Sequence, residues 1–184
     1  IDIWEVIDAA KTKPFGFESF RPGPGVGGHC IPIDPNYLSF KTREIGKPVR
    51  FVELAQEINN TMPSYIVSRI LEMMNSLEKP MNNSNILILG VAYKKDISDT
   101  RESPAINIIK NLDSKGVNVS YYDPFVGSLN APVKKEEDLK NFNKYDLILF
   151  HTAHTEFSKI NFAEIDVPIF DATGTEYVTN SERI

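Results

Sequence analysis

The chain has 184 residues, 41% hydrophobic and 24% charged, a composition that excludes disordered and fibrous classes and allows a buried core. Lys and Arg number 20 against 25 Asp and Glu, a net charge of −5 that argues against a broad nucleic-acid surface. One cysteine and three scattered histidines offer neither an internal disulfide nor a zinc spacing, so no metal is expected and Cys30 is left with chemistry or packing. With no signal peptide and no run near the roughly 20 apolar residues of a membrane span, a cytoplasmic protein without a membrane partner is expected.

In chain order, Ile3, Val6, Ile7 and Ala10 fall at helical spacing with no start signal ahead of them. The sequence also lacks a starting methionine, so it reads as a fragment of a longer protein whose upstream part is missing. A loop from about Lys13 to Pro35 follows, rich in Gly, Pro and Phe. A short helix is expected over Asn36–Glu44, then a longer helical run from Phe51 to about Leu77. Within it Pro63 either kinks the helix or starts a second one capped by Thr61.

The polar segment KPMNNSN at residues 79–85 reads as a boundary, giving a helical segment over 1–79 and a second domain over 80–184. Beyond it, NILILGVAY is a fully apolar run of the kind found in buried parallel strands. Ser103-Pro104 opens a helix with a cap residue and proline at the first position, and Gly116 stops it. VNVSYYD, DLILFHT and VPIFDAT complete four strands, with helical stretches expected near Glu136–Phe142 and Glu156–Ile165. Alternating strands and helices imply an α/β fold with a Rossmann-like parallel sheet, which binds ligands at the carboxyl ends of its strands.

Two segments carry the chemistry. In the first, RPGPGVGGHCIPIDP (Arg21–Pro35), four glycines and two prolines stand directly ahead of Cys30. Gly23, Gly25 and Gly28 satisfy G-x-G-x-x-G, yet no strand precedes them and GKPV stands where the ribose-binding acid belongs, so the match is coincidental. The glycines instead let backbone N–H groups approach a bulky ligand, while the prolines stiffen the loop around the thiol. His29 reads as an ordinary loop residue. Asp34, four residues past Cys30, is either a helix cap beside Pro35 or a group that holds a water or proton near the thiol.

The second segment, AYKKDISDTRESP (residues 92–104), leaves the first strand with cations beside a helix N-terminus, a setting that suits a phosphate. Its bland alternative is a solvated charged loop. Tyr122, Asp123 and Pro124 either read a ribose or only end a strand. His151, His154 and Asp171 sit at strand ends, where satisfied structural hydrogen bonds are expected.

Together, GPGVGGHCIPIDP and LILGVAYKKDISDTRESPAINIIKNL closely resemble the UDP-glucose/GDP-mannose dehydrogenase family, and IDIWEVIDAAKTKPFGF is similar to its central helix. That resemblance implies a central helical dimerisation segment and a C-terminal UDP-sugar-binding domain, with the N-terminal NAD domain missing. It implies oxidation of the C6 alcohol of a UDP-sugar to the acid by two NAD, with Cys30 as nucleophile and Asp34 positioning water. Arg21, Gly23, Gly25, Gly27 and Gly28 would line the sugar pocket, Tyr93 and Lys94 would bind substrate, and Arg101 would reach the NAD. A homodimer through the central helices is implied too. The form GPGVGGHCIPIDP looks most like the branch acting on UDP-N-acetylhexosamines, while Thr173 stands where family members often carry arginine.

Two rival classes stand beside this reading. A non-catalytic UDP-sugar-binding and dimerisation module would need no working thiol, and the fragment alone is expected to be inactive. A cysteine hydrolase would require a histidine base beside Cys30.

Overall fold

The structure is a computed structural model that describes residues 1–178 and 181–184. Helix α1 (Ile3–Ala10) does have a start signal: Asp2 accepts the Trp4 backbone N–H at 2.8 Å, a side-chain cap that the apolar spacing alone does not reveal. Residues 11–29 are irregular and lead into α2 (Cys30–Glu44). This helix begins six residues earlier than the composition suggests. Pro32 falls in its first turn, where the missing N–H has no helical partner anyway, so only Pro35 interrupts the ladder.

A single helix α3 (Arg50–Ser76) runs through Pro63 without a second cap. Because proline has no N–H, the carbonyl of Asn59 loses its helical donor. The helix is divided by burial. Ile66, Val67, Ile70, Met73 and Met74 are buried in the sheet domain's core, whereas Phe51, Leu54 and Ile58 are exposed.

The remainder forms a six-stranded, wholly parallel sheet, with β1 (Asn85–Leu89), β2 (Asn118–Tyr122), β3 (Lys134–Lys135), β4 (Leu147–Phe150), β5 (Ile169–Asp171) and β6 (Glu182–Arg183). Strand order is β3-β2-β1-β4-β5-β6. The Rossmann-like expectation holds, and two short edge strands join the four read from sequence. Strand β1 is apolar on both faces because both are covered: Ile86 and Ile88 meet α3 and α4 (Pro104–Asp113), while Leu87 and Leu89 meet Phe150, Phe157 and Phe162.

The helices expected at 136–142 and 156–165 do not form. In the first stretch Asp138 and Asn141 accept backbone N–H groups two residues on, which favours turns over helix. In the second, Phe157 and Phe162 both pack on Phe150, and their spacing of five does not fit one face of a helix. Two 3₁₀ turns, Thr155–Lys159 and Phe162–Glu164, satisfy both contacts.

The strand order reverses between β1 and β4, which makes the crevice beyond their carboxyl ends the topological switch point. There the segments after Leu89 and after Phe150 face each other.

Candidate active site

Cys30 is the first residue of α2, and its thiol is exposed. Its position in a helical first turn places it beside N–H groups that lack helical acceptors and favour negative charge. Asp34 lies one turn later on the same face and is also exposed. The two line a cleft of about 510 Å³ with Ile31, Pro35, Leu38 and Val52.

The glycine loop is held by the second motif. A β-carbon on Gly27 would stand 2.5 Å from Tyr93 Cβ and 2.9 Å from the Glu102 carbonyl oxygen. One on Gly28 would stand 2.9 Å from the Tyr93 ring, and Gly28 has φ +91°, a left-handed conformation that favours glycine. The Gly28 N–H donates to the Arg101 carbonyl at 2.9 Å. Gly25 packs on Pro104, with the freed Asn59 carbonyl 3.5 Å from where its β-carbon would be. Gly23 differs: nothing lies within 4 Å of its β-carbon position. The motif match Gly23, Gly25 and Gly28 follows α1 and not a strand, so it is no dinucleotide turn.

Arg21 is drawn toward α1. Its Nη2 lies 2.5 Å from Asp8 Oδ1, and its guanidinium stacks over Trp4 at 5.5 Å. Trp4 in turn lies against Gly174, just past β5, where a β-carbon would meet the indole at 2.4 Å. Helix α1 is thereby seated on the carboxyl end of the sheet.

The turn after β1 is tied down almost group by group. Asp123, buried at the end of β2, accepts five hydrogen bonds: Oδ2 from Val91 N–H, Ala92 N–H and His154 Nε2, and Oδ1 from Phe125 N–H and Val126 N–H. Burial pushes its carboxyl up, but the bonds from His154, Val91 and Phe125 outweigh that and hold it at about 2. Asp123 therefore holds the turn rather than reading a ribose. Ser103 Oγ donates to the Val91 carbonyl and Thr152 Oγ1 to the Ala92 carbonyl. The expected structural bonds are present for His154 at both nitrogens and for His151 at Nδ1. They are present at Asp171 too, whose Oδ1 accepts from Thr173 N–H, Thr173 Oγ1 and Gly174 N–H. Among the described residues, His151 Nε2 and Asp171 Oδ2, both buried, have no hydrogen-bond partner, though Arg183 Nε stands 3.9 Å from the latter. Burial lowers the His151 imidazole to about 4 and raises the Asp171 carboxyl.

At the surface of this turn stand Tyr93, half-buried under the glycines, Lys94, exposed, and Arg101. Arg101 is gripped by Asp99 through Nε and Nη2, which raises its pKa. Among the described residues, no histidine nitrogen hydrogen-bonds Cys30, and no group of three or more His, Cys, Asp or Glu could hold a metal. Sequence reasoning missed the Trp4–Gly174 seat and the two-sided role of His154; the only signal for either was position at a strand end.

An exposed thiol at a helix start, locked by glycines onto the switch-point turn of a Rossmann-like sheet, defines a two-part architecture, a helical segment docked on a parallel α/β domain. The UDP-glucose/GDP-mannose dehydrogenase family supplies the match: its central domain corresponds to residues 1–61 and its UDP binding domain to residues 87–175, and the chain belongs to that family. It is 36% identical over 168 residues to the UDP-N-acetyl-D-mannosamine dehydrogenase of Methanococcus maripaludis, covering 90% of this chain and 37% of that protein. It is 31% identical over 172 residues to the UDP-N-acetyl-D-glucosamine 6-dehydrogenase of Pseudomonas aeruginosa, covering 90% and 39%. The solved UDP-N-acetyl-mannosamine dehydrogenase of Staphylococcus aureus superposes with a TM-score of 0.76 at 30% identity, over 100% of this chain and 42% of that one. The chain thus spans well under half the length of these relatives.

Proposed function

We propose that the full-length protein oxidises C6 of a UDP-N-acetylhexosamine to the carboxylate in two NAD-dependent steps, with Cys30 as nucleophile. The observation that carries this reading is the exposed Cys30 thiol held, through the Gly28 N–H bond to Arg101, beside the turn bearing Tyr93 and Lys94. The branch of substrate rests on the relatives' names. Lys94 and Tyr93 grip the nucleotide sugar, and the backbone of Arg21–Gly28 lines the sugar. NAD, once bound, takes up the two electrons lost at each oxidation.

Alcohol becomes aldehyde in the first step. The Cys30 sulfur then adds to the aldehyde carbon, and the resulting thiohemiacetal is oxidised to a thioester. Water, positioned by Asp34, cleaves that thioester, releasing the acid and restoring the thiol. To the cofactor this chain contributes a contact from Arg101, whose exposed guanidinium suits a pyrophosphate. A second reading for the chain in isolation is a UDP-sugar-binding and dimerisation module without chemistry, favoured by a match that covers the central and UDP binding domains of the family.

We also assign the helical segment 1–79 to dimerisation and 80–184 to UDP-sugar binding. Phe51, Leu54, Ile58 and Tyr65 form an exposed stripe at helical spacing along α3, a face suited to a second copy. Light scattering should give a homodimer, and Ile58→Glu should yield monomer. The catalytic reading is tested by following NADH and acid with UDP-N-acetylmannosamine, UDP-N-acetylglucosamine and UDP-glucose. Two NADH per acid are expected, and Cys30→Ala should abolish the acid. Unchanged acid formation in that variant would remove the thiol from the mechanism, and equal turnover of UDP-glucose would remove the N-acetylhexosamine preference.

A further inference from the structure

We propose that His154 is a positioning residue: its two ring nitrogens clamp the turn bearing Tyr93 and Lys94 to the strand ends and so fix that turn against the Cys30 loop, a role that rests on the reading of Tyr93 and Lys94 given above. The imidazole is wholly buried at the switch point. Nδ1 lies 2.8 Å from the Asp96 backbone N–H, which can only donate, so Nδ1 carries the lone pair. The proton therefore sits on Nε2, 3.0 Å from Asp123 Oδ2, and is donated there. One ring thus bridges Asp96, in the turn after β1, to Asp123, at the end of β2.

Asp96 is where the turn is under strain. It adopts φ +60°, a left-handed conformation unfavourable for a residue with a β-carbon. Besides the His154 bond, its carboxylate accepts from Thr155 N–H at 2.7 Å and Thr155 Oγ1 at 2.6 Å. His154 and Thr155 together hold it from both sides. Strained residues persist only where their surroundings over-determine them. From Asp96 the order passes along the turn: Tyr93 N–H donates to the Asp99 carbonyl, and Gly28 N–H to that of Arg101.

Packing alone does not call for an imidazole here. Phe125 lies tilted against the ring and Phe157 edge-on to it, with centroids at 5.0 and 5.6 Å, surroundings that would accept phenylalanine or leucine. What the imidazole adds is a donor and an acceptor in fixed opposite directions.

The test uses the full-length protein with His154→Leu, which keeps bulk and loses both bonds, and His154→Gln, whose carboxamide supplies one donor and one acceptor. Leu112→Ala, at the far end of α4, serves as a destabilised control. Two quantities are read: the rate of alkylation of the Cys30 peptide by iodoacetamide, followed by mass spectrometry, and UDP affinity by calorimetry. His154→Leu should change the alkylation rate at least threefold, because the loop carrying Cys30 no longer rests, through the Gly28 N–H bond, on a fixed turn, and should weaken UDP about tenfold. His154→Gln should stay within about twofold of wild type, and Leu112→Ala should leave both quantities unchanged while lowering Tm. Wild-type alkylation in a folded His154→Leu, no rescue by Gln, or an equal effect from Leu112→Ala would overturn the assignment. Hydrogen exchange at the wild-type Asp96 amide decides the point even if the variants do not fold: strong protection is expected, and free exchange would refute the clamp. A wild type that binds no UDP would sink the functional reading instead, with alkylation and exchange still deciding on His154.

Discussion

The contact between the two motifs can be broken one glycine at a time. In Gly27→Ala the new β-carbon meets Tyr93 Cβ at 2.5 Å and the Glu102 carbonyl at 2.9 Å. Neither atom is the free end of a flexible side chain, and carbon atoms in contact normally stand about 3.5–4.0 Å apart, so one backbone must retreat by roughly an ångström. Overpacking of that kind costs about 1–3 kcal/mol. Gly28→Ala adds a left-handed φ of +91° to a ring contact at 2.9 Å, for about 2–3 kcal/mol. At Gly25 the φ of +134° is unfavourable, yet the steric partner is the Pro104 ring edge at 3.0 Å, so about 1–2 kcal/mol is expected. Gly23→Ala meets nothing and should change stability by less than about 0.5 kcal/mol.

Urea unfolding measures the series, and iodoacetamide labelling of Cys30 reports whether the loop has left Tyr93. The order of loss should be Gly28 and Gly27, then Gly25, then Gly23. If Gly27→Ala proved as benign as Gly23→Ala in both assays, the loop would not rest on Tyr93, and the Cys30 thiol would not be held beside the Arg101 turn.

Other outcomes follow from buried groups. His151 refuses a proton in the folded state until about pH 4, whereas the unfolded chain takes one near 6.5, so its contribution is full above 6.5 and is lost as pH falls toward 4. Stability should drop by up to about 1.4 kcal/mol per pH unit in that window, and His151→Gln should flatten the slope relative to wild type; identical slopes would mean the ring is not protected from protonation. Asp123→Asn should cost about 2–3 kcal/mol, since an amide cannot accept all five bonds, and should remove the acid-side loss expected between pH 3.8 and about 2. Gly174→Ala should unseat the chain's only tryptophan, seen as a red shift of its fluorescence together with a loss of about 1–3 kcal/mol.

The central strands were readable because each is covered on both faces and so must be apolar throughout, as Ile86–Leu89 and Leu147–Phe150 are. Ser103-Pro104 was equally plain, since a cap and a first-turn proline act locally. Longer-range compromises were not legible. The start of α2 at Cys30 depends on how the glycine loop docks, and 3₁₀ turns replace a helix at 155–164 because two phenylalanines share one ring on a neighbouring strand. The paired motifs named a site, but the contact joining them lies between residues 27 and 93, beyond any local pattern. His154 looked like an ordinary satisfied histidine, and its bonds do satisfy it; that one partner is a strained turn is a fact of three dimensions.

The proposed double oxidation of one carbon would set a geometric demand: sulfur and nucleotide grip must keep a fixed separation while the carbon passes from alcohol to aldehyde to thioester. Side chains interposed between the two parts would be a poor spacer, because each rotamer shifts the distance. Here backbone meets Tyr93 directly, at its Cβ from Gly27 and at its ring from Gly28, a peptide N–H bonds a peptide carbonyl at 2.9 Å, and the far side of the same turn is anchored to buried Asp123. The stiffness also explains where backbone strain is tolerated, with Asp96 and Glu102 at φ +60° and +50° bracketing the segment that carries Arg101. Under the proposed function, a turn that must hold a charge and a thiol in register has reason to keep both conformations.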